Sequence, residues 1–133
     1  MQPQLNHMII PARDRLESAR FLSEILGLAE PVTVGPFEQV TTGNGVSLDF
    51  ADVSGFDVGL KYADTPGHVQ RMHLAFEVSE REFDEVFARI RERNISYWAD
   101  PWRRKPGETN ETHGRGVYFE DPNGHTWEIL TEP

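Results

Sequence analysis

The chain has 133 residues, of which 38% are hydrophobic, with a formal charge of −9 and no cysteine. That length and apolar content suit one compact domain with its own core, and the lack of cysteine excludes both a disulfide framework and a thiolate metal site, leaving imidazole and carboxylate as the metal-binding groups. The acidity argues against a nucleic-acid surface, no apolar run approaches the roughly 18 residues of a membrane span, and the N-terminus lacks a secretory leader pattern, so the expected location is cytoplasmic.

The first expected element is an apolar strand, Leu5-Asn6-His7-Met8-Ile9-Ile10. A helix over residues 15–26 follows, opened by Asp14 with Glu17 in a capping-box arrangement, striped by Leu16, Ala19, Leu22, Ile25 and Leu26, and stopped by Gly27. Strands are expected near residues 30–34 and 37–41. The Asn44-Gly45 turn then leads into Val46-Ser47-Leu48-Asp49-Phe50.

The same order then repeats. Arg71-Met72-His73-Leu74-Ala75-Phe76 reads as a strand, and Ser79 with Glu82 opens a helix over 80–93, with Phe83, Val86, Phe87 and Ile90 as its stripe and Asn94 as its stop. Strands near 96–99 and 116–120 precede an Asp121-Pro122-Asn123-Gly124 turn and the strand Thr126-Trp127-Glu128-Ile129. Each half is a β-α-β-β-β unit. The expected fold is α+β, with two such modules forming a curved mixed sheet whose helices lie on the outer face, module one over 4–53, a crossover linker over 54–70 and module two over 71–131.

His7 thus answers to His73, and Asp49 to Glu128. Period-two geometry puts Met72, Leu74 and Phe76 on one face and His73 on the other, and likewise separates Leu48 and Phe50 from Asp49. If the apolar faces pack under helices, the four polar residues look into a groove on the other side. A lone strand histidine is more often structural than a ligand. Two histidines and two inward carboxylates at equivalent positions argue for a site, because a buried carboxylate costs several kcal/mol unless paired or metal-bound. For Glu128 the competing reading is an ion pair with Arg71 or Arg115.

The histidine-to-carboxylate spacing grows from 42 positions in the first half to 55 in the second, and the excess falls within residues 100–115, rich in Pro, Gly and charge. That segment is expected to loop over the groove mouth. It carries Trp102, Arg103 and Arg115, which with Tyr118 are the expected substrate contacts, guanidinium suiting carboxylate or phosphate. His68, His113 and His125 are weaker candidates, the last on the opposite parity to Glu128. No serine-hydrolase, P-loop or dinucleotide string is present.

At these residues the chain resembles the vicinal oxygen chelate superfamily, which includes glyoxalase I, bleomycin-resistance proteins, fosfomycin-modifying enzymes and extradiol dioxygenases. The resemblance covers essentially the whole chain and rests on Leu5-Asn6-His7, Leu26-Gly27-Leu28, His73 in its strand, and the run from Gly116 through Asp121-Pro122-Asn123-Gly124 to Glu128. It implies a divalent metal held by His7, His73 and Glu128, and a homodimer in which His7 of one subunit joins His73 and Glu128 of its partner. It also implies a small-molecule substrate that chelates the ion through neighbouring oxygens. Zinc, iron, manganese, nickel and cobalt all suit that ligand set. Asp49 falls where glyoxalase-like members place a fourth ligand that doubles as base; one methylene shorter than glutamate, it is the candidate catalytic carboxylate as base or fourth ligand, or stands off the metal and does neither.

Departures sort the sub-families. Ile9 stands where a fosfomycin-modifying glutathione transferase has threonine, and residues 104–112 do not reproduce its potassium loop. Familiar extradiol dioxygenases are about twice as long, and bleomycin-resistance members lack the metal set. The expected function is therefore a metal-dependent, glyoxalase-like lyase or isomerase acting on a small oxygen-rich molecule. A metal-free binding protein and a compact extradiol-type dioxygenase are the alternatives.

Overall fold

Both helices begin at side chains that satisfy their first backbone donors. Asp14 accepts from the amides of Leu16 and Glu17, each at 3.1 Å, and opens α1 (Arg15–Leu26). Ser79 opens α2 (Glu80–Glu92), its Oγ accepting from Glu82 N at 3.1 Å while Glu82 Oε1 accepts from Ser79 N at 2.9 Å. The reciprocal box expected at both helices is complete only at α2. At α1 only the Asp14 half of the box is present. Gly27 (φ 70°) caps α1 in the left-handed region through its amide bond to Ser23 O, and Asn94 (φ 54°) follows the end of α2 in the same conformation.

The computed structural model describes residues 2–53 and 68–133. They divide into two compact units, 1–70 and 71–133. The expected linker glycines and prolines, Gly55, Gly59, Pro66 and Gly67, lie outside the described residues.

In the first unit, β1 (His7–Ala12), β2 (Val32–Val34), β3 (Phe37–Thr41) and β4 (Ser47–Asp52) form one sheet in the order β1-β4-β3-β2. β1 and β4 are parallel, and the other pairs are antiparallel. α1 packs on β1, β3 and β4. Ile10, Ala12, Val40, Leu48 and Phe50 of the sheet are buried together with Ala19, Leu22 and Ile25 of the helix. These are the alternate strand positions and the one-sided stripe that the sequence displays.

The second unit repeats the plan. β5 (His73–Glu77), β6 (Tyr97–Trp98), β7 (Gly116–Glu120) and β8 (Thr126–Leu130) run in the order β5-β8-β7-β6, again with only the β5–β8 pair parallel. Val117, Phe119, Trp127 and Ile129 are buried, as are Phe83, Val86 and Ile90 of α2. Phe87 of α2 meets Tyr97 of β6 edge-on, with ring centroids 5.1 Å apart. Each mixed sheet is thus flanked by one helix. No described helix is long and apolar enough to cross a membrane.

The two Asn-Gly turns deliver the carboxylate strands. Gly45 (φ 83°) and Gly124 (φ 88°) occupy a region that a side chain would strain. In the second turn Asp121 Oδ1 accepts from the amides of Asn123 and His125, both at 2.9 Å. His125 is fully buried, and its Nδ1 accepts from Met72 N at 2.9 Å, tying the start of β8 to that of β5. Its place is structural, consistent with its parity.

The segment between β6 and β7 is folded back on the sheet edge. Ala99 N donates to Lys105 O (3.1 Å), Gly107 N to Tyr97 O (2.9 Å) and Asn110 Nδ2 to Ala99 O (2.7 Å). Asp100 accepts from the amides of Arg104 (3.0 Å) and Lys105 (2.8 Å). Burial alone would raise the Asp100 pKa, but these backbone donors and Lys105 outweigh it and hold the carboxyl below its ordinary value.

Candidate metal centre

The register of the second sheet sets one histidine beside one glutamate. In the parallel pair β5–β8, His73 is level with Thr126 and Ala75 with Glu128, so His73 and Glu128 project from the same face two positions apart. His73 Nε2 lies 3.0 Å from Glu128 Oε1. The glutamate side chain is 9% exposed and the histidine 46% exposed, so a nearly buried carboxylate reaches out to an accessible imidazole. Arg115 binds elsewhere, and among the described residues His73 is the one basic side chain paired with Glu128.

Tyr118 completes this cluster from β7, directly opposite Glu128 in the antiparallel pair. Its ring sits 5.6 Å from the His73 ring, tilted by 58°. Burial pushes the Tyr118 hydroxyl up to about 12, helped by the neighbouring Glu128 carboxylate and by the Asp100 charge.

The donor pair has the spacing of two neighbouring ligands on one ion. Two such atoms, each about 2.1 Å from a metal, are about 3.0 Å apart at an octahedral right angle and about 3.4 Å apart in a tetrahedron, against the observed 3.0 Å, which is also the length of a hydrogen bond. Imidazole and carboxylate are also the donors that first-row divalent ions accept together. The residues therefore fit a metal in chemistry and separation.

In the first unit the equivalent positions are arranged differently. Asp49 is buried, at 5% exposure, and lies level with Ile9 of β1 and Gln39 of β3. Its Oδ1 accepts from Ser47 Oγ at 2.6 Å. His7 is exposed and its Nδ1 is 2.7 Å from Asn6 Oδ1. With the carboxamide oxygen accepting, Nδ1 is the donor of this contact. Among the described residues of this single chain, no three His, Cys, Asp or Glu side chains gather into a metal-holding group.

The expected substrate residues divide between two faces. Trp102 is 73% exposed at the tip of the β6–β7 segment. Arg103, at φ 61°, sends its guanidinium over the Trp98 ring at 4.7 Å and binds Glu120 Oε2 at 2.6 Å. Glu120, Tyr118 and Glu128 share a face by strand alternation, so Arg103 borders the cluster. Arg115 has the opposite parity. It lies over Phe83 at 4.4 Å and binds Glu80 (2.8 Å) and Asp84 (2.7 Å) of α2, which raises its pKa, the Asp84 hydrogen bond being the main cause. A cleft of about 920 Å³ runs beneath the segment, its walls including Phe87, Arg91, Tyr97, Trp102, Lys105 and Tyr118.

Sequence reasoning missed Ser47, Trp98 and Glu120. Ser47 and Glu120 were within reach of parity, being two positions from Asp49 and Tyr118. Trp98 becomes visible only once the segment folds back and brings Arg103 onto it.

Residues 4–129 match the model of the Glyoxalase/Bleomycin resistance protein/Dioxygenase superfamily. The solved structure of "Oxidase ChaP-H1" is 51% identical, with a TM-score of 0.88 over 99% of this chain and 98% of that one. Glutathione transferase FosA of Serratia marcescens is 26% identical over 129 residues, which is 97% of this chain and 81% of FosA. The fosfomycin resistance protein FosX of Listeria monocytogenes, solved as a complex with Mn(II) and sulfate, shares the fold at 20% identity and a TM-score of 0.67, covering 100% of this chain and 93% of its own.

Proposed function

The chain belongs to the glyoxalase/bleomycin resistance protein/dioxygenase superfamily, and from that premise we propose that it is a metal-dependent oxidase of a small molecule bearing two neighbouring oxygens. The observation that carries this reading is the 51% identity to an oxidase along 99% of the chain. Oxidation takes precedence here over the lyase or isomerase chemistry that the sequence suggested. Likeness to the glutathione transferase FosA supports an enzyme more generally.

His73 and Glu128 are the proposed ligands from the second unit, and His7 is the third. A homodimer in which a second copy supplies His7 is part of the proposal. A divalent ion held there supplies Lewis acidity to paired substrate oxygens and, in the case of iron, redox capacity. Glu128 lends a nearly buried negative charge, which lowers the cost of holding a cation at this place. Asp49, fixed by Ser47, is the proposed base that takes a hydroxyl proton from the substrate. Tyr118, Trp102 and Arg103 are the proposed substrate contacts, with the cleft beneath the β6–β7 segment as the space for the rest of the molecule. Arg115, engaged with Glu80 and Asp84, takes a structural role against α2.

A second reading keeps the metal set and replaces oxidation by lyase or isomerase chemistry. Buried Asp49 favours it, because abstracting a proton beside a carbonyl asks for a fixed carboxylate. Oxygen uptake separates the two. Ferrous-loaded protein with a panel of catechols and other vicinal diols is expected to consume dioxygen and give product under air and none under argon. Equal turnover under argon would favour the second reading. Ligand binding that survives His7→Ala and Glu128→Gln without any metal would favour a binding protein.

A further inference from the structure

We infer that the cleft beneath the β6–β7 segment holds the acidic end of an aromatic substrate, a carboxylate or a phosphate, through Arg91 of α2 and Lys105 of the segment; this deepens the small-molecule reading above and rests on it. The space is about 920 Å³, and Tyr118, whose ring lies 5.6 Å from that of His73, forms part of its wall. The cleft thus begins beside the metal centre and leads away from it. A molecule held by paired oxygens at the centre extends its remaining atoms into this space.

The cleft is an addition to the module. The first unit joins β2 to β3 through Gly35 and Pro36 alone, whereas the second inserts residues 99–115 between β6 and β7. The first sheet forms without such a segment, so the fold does not require one, yet its backbone is tied down. Lys105 is fixed on both sides, its amide donating to Asp100 Oδ1 at 2.8 Å and its carbonyl accepting from Ala99 N at 3.1 Å. Arg91 is placed by the helix, its guanidinium 5.7 Å from the centre of the Phe87 ring. Phe87, Tyr97 and Tyr118 give the walls aromatic surface, and Trp102 joins them while remaining 73% exposed.

The charges along the cleft are not cancelled within the protein. Among the described residues neither Arg91 nor Lys105 forms an ion pair, although Arg81, Arg103 and Arg115 of the same unit all do. Asp100 and Glu108 also line the space. Both oxygens of Asp100 already accept from the amides of Arg104 and Lys105, which leaves two cations against one uncommitted carboxylate. Guanidinium and ammonium bind carboxylate or phosphate through charge-assisted hydrogen bonds, while aromatic walls take the body of the molecule. A cation in the last turn of α2 is also favoured by the helix dipole, so Arg91 has a purely structural alternative.

The test is equilibrium binding of naphthoate, naphthyl phosphate and the neutral naphthylmethanol to the full-length protein, treated with chelator so that no anion is held by a metal. Wild type, Arg91→Gln, Lys105→Gln and Arg104→Gln are compared, with a thermal melt of each. Arg104 lies on the same segment but outside the cleft wall, so its variant loses equal charge without touching the site. One or both anions should bind the wild type at least about 5-fold more tightly than naphthylmethanol, and the tighter of them identifies the acidic group. Arg91→Gln and Lys105→Gln should each weaken that anion by about 3- to 5-fold, the scale of a partly exposed charge pair, and leave naphthylmethanol unchanged. Arg104→Gln should bind as the wild type does. Equal affinity for charged and neutral probes, binding of none of them, or an equal loss in Arg104→Gln would overturn the inference, as would a lowered melting temperature in Arg91→Gln with anion affinity intact. Since no turnover is read, an anion-selective cleft in a protein that consumes no dioxygen would overturn the oxidase reading alone.

Discussion

Asp49 and Glu128 occupy the same register position in the two sheets, each on the strand parallel to the histidine strand and each level with the residue two places beyond that histidine, Ile9 and Ala75 respectively. Their partners nevertheless differ. Glu128 reaches His73 on the neighbouring strand, whereas Asp49, one methylene shorter, is bound by Ser47 on its own strand. Equal placement with unequal reach separates the roles assigned to the two carboxylates.

That separation is measurable by substitution. Glu128→Gln is expected to remove most metal binding, because a neutral amide replaces an anionic ligand and leaves His73 without its charge. Asp49→Asn is expected to retain metal within about threefold of wild type and to lower kcat by about 100-fold or more, the scale of a lost general base. Metal content by elemental analysis, alongside turnover, checks both. Loss of metal in Asp49→Asn would make Asp49 a ligand instead.

Ser47→Ala isolates the hydrogen bond that fixes the base. Asp49 is 5% exposed, so removing its 2.6 Å donor leaves a buried carboxylate short of a partner. A cost of about 1–3 kcal/mol in urea unfolding is expected, together with a lowered kcat. An unchanged denaturation midpoint would mean that Asp49 finds another donor.

Much of this was legible in the chain and some was not, for identifiable reasons. The observed bounds of α1 are the expected ones, and α2 ends within a residue of expectation, because caps and apolar stripes are local signals. Strand parity separated Glu128 from His125, which the structure places in the core. Of the Asp14–Glu17 box the N-cap half formed, Asp14 accepting from the amides of Leu16 and Glu17, while the reciprocal half formed only at α2. Residues 100–115 read as a loop because their bonds join residues such as Ala99 and Asn110 across turns that have no apolar period. Arg115 was grouped with Arg103 by proximity in sequence, yet its parity directs it to α2.

Arg115→Ala should therefore register in stability. The guanidinium covers Phe83 and binds two α2 carboxylates that are largely exposed, so solvent screening limits the loss to about 0.5–1.5 kcal/mol. KM should stay within about twofold of wild type, as for a mutation that leaves ground-state binding intact. A raised KM with an unmoved melting temperature would return Arg115 to the substrate.

The α2 cap gives the fold a small acid sensitivity of known sign. Hydrogen bonds from the backbone and side chain of Ser79 hold the Glu82 carboxyl below its ordinary value against the weaker opposing effect of burial. A depressed folded-state pKa contributes stability that is present above the unfolded value and is lost as pH falls through the folded one. Between about pH 6 and pH 3, wild type should lose more stability than Glu82→Gln, which keeps an acceptor but does not titrate. Parallel urea midpoints for the two proteins across that range would contradict the assignment.

Subunit mixing tests whether a second copy supplies His7. His7→Ala and Glu128→Gln homodimers each lack a ligand at both sites. If His7 comes from the partner, a heterodimer of the two variants contains one site with all its ligands and one lacking two. Random reassociation of equal amounts makes half the dimers mixed, so about a quarter of wild-type sites should return. Metal stoichiometry and turnover, measured after unfolding and refolding the mixture, report the recovery. If each chain built its site alone, every site in the mixture would still lack a ligand and no activity would return. Recovery near a quarter therefore requires a site completed across the dimer, and its absence in a mixture shown to contain heterodimers would place His7 outside the shared site.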